Sequence, residues 1–224
     1  MRTQRFARLA AALLLIGLLP QRALAQFTVY TSLASFLAAT TGAGTDTFED
    51  LSITTATPAP LARTAGSFGY TASVNTTSFF GAGSAADRWL STNTTTDIIT
   101  FNGFGPGVRG VGGLFFGTDA AGAFRPASSI VLVARTASGM STRTVLDATL
   151  ATFVGFVASA DLISLTVEAV QPLSGSAFAW PTVNNLVLAG APAMNVVPEP
   201  ATWLMMVTGF GMMVLVVTGR RRKV

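Results

Sequence analysis

DLISLTVEAV, residues Asp161 to Val170, alternates apolar and polar positions: Ile163, Leu165, Val167 and Ala169 fall on one side, Ser164, Thr166 and Glu168 on the other. A period of two is what an extended chain produces when one face packs on a core and the other meets water. The segment predicts a half-buried strand, and its neighbours follow suit. Phe27 to Tyr30, Ile130 to Ala134, Phe153 to Val157 and Leu186 to Leu188 read as strands, and Ile98 to Phe101 and Gly113 to Phe116 flank a glycine-rich connection. One exception lies early. Ser32 can cap a short helix in which Leu33, Phe36 and Leu37 recur at i, i+3 and i+4, with Gly42 as the stop.

Strands at irregular spacing, punctuated by Gly, Pro, Asn and Asp and without alternating helices, predict a mainly β chain: an antiparallel β-sandwich with one short N-terminal helix. Consecutive hairpins alone leave open edges, so a jelly-roll-like form with Greek-key crossings is the expected arrangement. No repeat of solenoid length occurs.

The formal net charge of +4 is misleading. Eight of the 14 basic residues sit in the two ends, leaving six between Gln26 and Asn195 against nine acidic ones. The basic balance therefore reflects targeting segments and does not argue for nucleic acid as a partner. Cysteine and histidine are both absent. No disulfide can staple the fold, so a core must hold it, and the commonest general base and metal ligand is missing.

The ends read as addresses. Residues 1–25 combine Arg2, Arg5 and Arg8, an apolar run from Leu9 to Leu19, and small residues at Ala23 and Ala25, the pattern of a signal peptide cut before Gln26. The expected ectodomain covers 26–190, and 191–197 is an aperiodic linker. Beyond it lie Pro198-Glu199-Pro200, an uncharged apolar segment 201–219, and a basic tail of Arg220, Arg221, Arg222 and Lys223. As a helix the segment would measure roughly 28 Å, enough to cross a bilayer. The basic tail would stay cytoplasmic.

These last residues, with Trp203-Leu204-Met205-Met206 and Gly209-Phe210-Gly211, resemble the PEP-CTERM sorting signal of Gram-negative bacteria. The resemblance implies recognition and processing by an exosortase after a single-pass precursor has engaged the inner membrane, and delivery to the cell surface or the extracellular space. The body is similar to a group of PEP-CTERM ectodomains in Tyr30 to Phe36, Thr47-Phe48-Glu49-Asp50-Leu51, Asp97 to Phe101, Phe153-Val154-Gly155-Phe156 and Asn184-Asn185-Leu186. Such domains are similar to galactose-binding-like and concanavalin-like sandwiches. In those, oxygen ligands for a structural calcium can come from an early and a final strand. Glu49, Asp50 and Asn185 are the nearest matches here, although Asn184 stands where the family often has Asp.

Few residues suggest chemistry. Gly105 to Gly110 formally fits G-x-G-x-x-G, but Gly112 and Gly113 follow where a helix should propagate, so a glycine-rich corner between strands is the plainer reading. Glu49, Asp50 and Glu168 are carboxylates that a glycosidase could use, yet nothing selects a pair. Asn75-Thr76-Thr77 and Asn93-Thr94-Thr95 fit a glycosylation pattern by chance in a Thr-rich chain. For sugar binding, Tyr70, Trp89 and Trp180 are candidate stacking platforms, with Arg88 and Asn93 near Trp89 in sequence. The expected function is that of an exported structural or interaction protein of exopolysaccharide or biofilm, with no catalytic set. A carbohydrate-binding module of the matrix is the alternative, and a surface glycosidase ranks third.

Overall fold

Alternation along the chain becomes two antiparallel sheets in a sandwich-like arrangement. The computed structural model describes residues 27–172, 178–190 and Thr208. The chain divides into one unit of Leu24–Pro192 and another of Met1–Ala23 with Ala193–Val224. In the latter only Thr208, which is helical, is described. The expected signal peptide with Ala23 and Ala25, the linker, Pro198, Glu199, Pro200, the apolar segment 201–219 and Arg220, Arg221 and Arg222 lie outside the described residues. Among the described residues no helix is long and apolar enough to cross a membrane.

The first sheet runs, in spatial order, β1 (Phe27–Tyr30), β12 (Phe153–Ala158), β9 (Gly110–Thr118), β14 (Trp180–Gly190), β7 (Arg88–Thr92), β6 (Ser78–Gly83) and β3 (Ala56–Pro58). A further strand, β2 (Thr41–Asp46), pairs with the far half of β14. The second sheet runs β11 (Met140–Val145), β10 (Ser129–Thr136), β13 (Leu162–Val170), β8 (Ile98–Asn102), β5 (Phe68–Ser73) and β4 (Leu61–Ala65). One hydrophobic cluster joins them: Phe79, Leu90, Phe115 and Val183 from the first sheet meet Ile99, Phe101, Leu132 and Leu165 from the second. All eight are fully buried.

β13 is a half-buried strand, as its alternation predicts, and lies between β10 and β8, but its inward set differs from the simple pattern. Leu165, Val167 and Ala169 are buried, whereas Ile163 is 52% exposed and Leu162 is buried in its place. The cause is a register shift: Arg135 pairs with Ser164 and Thr136 with Leu162, so Ile163 is the extra residue of a bulge and turns outward.

The helix α1 (Leu33–Ala38) forms where Ser32 predicted it, with the Ser35 amide donating to Ser32 Oγ at 3.2 Å. Its stop is not Gly42, which already belongs to β2. Instead the Thr40 hydroxyl donates to Phe36 O at 2.9 Å, closing the last turn. Only Phe36 of the three apolar helix residues is buried, and its ring meets Phe153 edge-on at 5.7 Å. Gly155 makes room for it, since a Cβ there would run into the Phe36 ring.

Candidate functional site

Two polar constructions stand out, one buried and one open. The buried one grows from the end of β2. Asp46 Oδ2 accepts from Arg63 Nε at 2.6 Å and from the Tyr70 hydroxyl at 2.6 Å, and its Oδ1 accepts from Arg63 Nη2 at 2.7 Å and the Phe48 amide at 3.0 Å. The same guanidinium donates to both oxygens of Asp50, at 2.7 and 3.1 Å. Phe48, at a φ of 62°, places its ring 5.1 Å below the Arg63 charge.

Electrostatics follow the geometry. The hydrogen bond from Arg63 holds the Asp50 carboxyl below its ordinary range. Desolvation pulls the Arg63 value down, but hydrogen bonds to Asp46 and Asp50 outweigh it and raise the net value. Burial, then the Asp46 charge, pushes the Tyr70 phenol up. Every group in this cluster has a partner, which is the signature of a structural fastener rather than a waiting reagent.

Of the residues that the family resemblance linked to calcium, Glu49 and Asp50 both have protein partners. Asp50 is turned to Arg63. Glu49 accepts from the Arg88 amide at 3.3 Å through either oxygen. Asn185, at a φ of 50°, sits in the bulge of β14, where the register shifts between Asn184 and Val187. Among the described residues no group of three or more acidic side chains gathers where a metal could sit.

Glu168 faces Val131 and Ile98 across the sheet, so its direct neighbours carry no second carboxyl. The G-x-G-x-x-G run opens a strand, not a helix, and its donors are already engaged: the Gly107 amide and Arg109 Nε reach Asp161 at 3.1 and 3.0 Å. Arg109, then Gly107, lowers the Asp161 pKa.

Of the sugar-platform candidates, two rings are inside. Tyr70 is 3% exposed, with its ring against Phe101, and Trp89 is 7% exposed, edge-on to Phe116 at 4.9 Å. Neither offers an open face for stacking. Arg88 is drawn inward as well, donating from Nη1 to Glu49 O at 2.9 Å and Leu51 O at 3.2 Å.

Trp180 and Asn93 meet a different fate: both line one cleft of about 220 Å³. Its floor comes from the first sheet. Val183 pairs with Leu90 and Phe115 on the core face, so Ser91, Thr118 and Thr182 take the opposite face by alternation, and of these Ser91 and Thr118 line the cleft. The three hydroxyls form a closed ring, with Ser91 and Thr118 3.2 Å apart, Thr118 and Thr182 2.8 Å apart, and Thr182 donating to Ser91 at 2.9 Å. One wall is the turn of residues 119–122, whose Asp119 Oδ1 accepts from the Ala121 and Ala123 amides. Gly83 N donates to Gly122 O at 2.9 Å and docks that turn on β6.

No family model, curated protein or solved structure matches this chain. The cleft therefore has to be read from its own residues. Of the residues lining the cleft, the sequence singled out Trp180 and Asn93 as candidate contacts, and not Asp119 or the hydroxyls of Ser91 and Thr118. The available signal was Phe178-Ala179-Trp180, two aromatics straddling a small residue at the spacing of a strand face.

Proposed function

We propose that this chain is an exported, exosortase-processed β-sandwich protein that serves a structural or interaction role in the cell-surface or extracellular polysaccharide matrix. The observation that carries the reading is the coincidence of the folded body with the interval between two terminal signals. Among the described residues the first strand opens at Phe27, after the signal-peptidase motif at Ala23 and Ala25, and the last closes at Gly190, before the linker to Pro198-Glu199-Pro200. The apolar segment 201–219 and the arginines that follow supply a transient single-pass anchor in the inner membrane. We read the sandwich itself as jelly-roll-like, because the pairing of β9 with β14 and of β1 with β12 joins strands remote in the chain.

Deleting the exosortase of the producing cell tests the sorting claim. Expected is a precursor that retains its C-terminal segment and accumulates in the inner membrane. Unchanged mass and location would sink it.

A second reading, carbohydrate binding within the matrix, is favoured by one observation: Trp180 and Asn93, remote in sequence, share an open polar cleft. Pull-down with the producer's own polysaccharide tests it, and retention of the folded chain is the expected result.

A further inference from the structure

Trp180 is not alone. On the far side of the Asp119–Ala121 ridge a second, shallower groove of about 360 Å³ is lined by Arg125, Phe178 and again Trp180. Phe178 is 43% exposed, unusual for a ring of its size, while Ala179 between the two aromatics is fully buried. The chain is therefore extended here, with both rings on the outer side. Two residues span at most about 7 Å of extended backbone, comparable with the advance of one sugar unit along a polysaccharide.

The backbone between the rings is clamped. Gln171 Oε1 accepts from the Ala179 amide at 3.0 Å, and its Nε2 donates to Ala179 O at 2.8 Å, with further bonds to Thr95 O and Ala169 O. One side-chain amide thus fixes both polar groups of the residue that carries no recognition surface. Gly117 lets Ala179 and the chain at Arg125 approach closely, since a Cβ there would lie 2.6 Å from Arg125 O and 2.9 Å from Ala179 Cβ. Such support leaves little loop-ordering cost to be met on binding.

Polar groups complete the picture. Trp180 makes no hydrogen bond or ring contact with other described residues through its side chain, and exposed Asn93 leaves its amide available in the first groove. The one charged residue lining that groove among the described residues is Asp119, whose Oδ2 lies 3.9 Å from Arg125 Nη2 in the second. A polyanion would bring its carboxylates against Asp119 with only this already engaged cation nearby. A chain of neutral sugars meets no such penalty.

We infer that Trp180 and Phe178 form two consecutive stacking subsites for an uncharged polysaccharide chain that crosses the Asp119–Ala121 ridge, with Asn93 and Asp119 fixing its hydroxyls. The inference rests on the carbohydrate-binding reading above and adds the class of glycan, the path and the number of contacts.

Calorimetric titration of the full-length chain in detergent micelles tests it, with cellobiose, cellohexaose, chitohexaose and the acidic hexamannuronate as probes. Expected is binding of a neutral hexamer and not of hexamannuronate. Trp180→Ala should weaken it about tenfold or more, and Trp180→Phe, which keeps a ring, should retain most of the affinity. Phe178→Ala should remove the advantage of cellohexaose over cellobiose while leaving the thermal unfolding midpoint in place. Binding that survives both alanine variants would overturn the subsites and leave carbohydrate binding elsewhere on the chain standing. Preference for hexamannuronate would overturn the uncharged class. Failure of every probe would overturn the inference, while the pull-down on native polysaccharide separately decides the broader reading.

Discussion

Arg63 donates to both oxygens of Asp46, at 2.6 and 2.7 Å, and in the same plane of contacts reaches Asp50. The two carboxylates differ sharply in setting, with side chains 4% exposed for Asp46 and 69% for Asp50. One guanidinium thus serves a buried pair and a surface pair at once.

That asymmetry predicts unequal losses. Arg63→Met strands Asp46 in the interior and should cost about 3–5 kcal/mol, whereas Asp50→Asn should cost under about 1 kcal/mol. Urea midpoints at neutral pH measure both. Similar losses for the two variants would show that the buried half of the network does not dominate.

Acid should erase the smaller difference. The folded pKa of Asp50 lies below its unfolded value, chiefly through the hydrogen bond from Arg63. Its contribution is then complete above the unfolded value and disappears as pH falls through the lowered folded one. The stability gap between the parent chain and Asp50→Asn should close on acidification, as read by urea unfolding at a series of pH values. A gap that widens toward acid contradicts the assignment.

Around α1, Phe36→Ala should cost about 3–5 kcal/mol, because the ring is fully buried against Phe153. Gly155→Ala should also destabilise, by about 1–3 kcal/mol, since the new methyl overlaps that ring. Combining Gly155→Ala with Phe36→Leu should cost less than the sum of the two. Thermal unfolding of the four proteins supplies the double-mutant cycle, and strict additivity would refute the contact.

The alternation in DLISLTVEAV correctly announced a half-buried strand, and Ser32 announced a helix, because both signals are local. The bulge that expels Ile163 is set by how β10 and β13 align, which no single-strand pattern encodes. Arg63 and Tyr70 lie 17 and 24 positions from Asp46, the carboxylate that unites them, so their meeting is a product of topology. The same holds for the cleft: Ser91 and Thr118 look like ordinary strand residues until β7 and β9 flank β14. Aromatic residues were the weakest guide, since type alone did not separate buried Trp89 from Trp180.

The bulge provides its own test. Ile163→Thr should change stability by less than about 0.5 kcal/mol, while Leu165→Ala, two positions on, should cost about 2–5 kcal/mol. Chemical denaturation resolves the contrast. A large loss from Ile163→Thr would restore the unbroken alternation.

The position of β14 has a mechanical meaning. Its 11 residues lie between β9 on one side and β7 and β2 on the other. Tension entering along the chain from Gly190 would load many crosswise hydrogen bonds together, in shear. Tension entering at Phe27 would instead unzip the four-residue edge strand β1 from β12, one pair after another. A chain pulled from its C-terminal side is held by a long strand paired on both sides, and one pulled from its N-terminal side by a short edge strand.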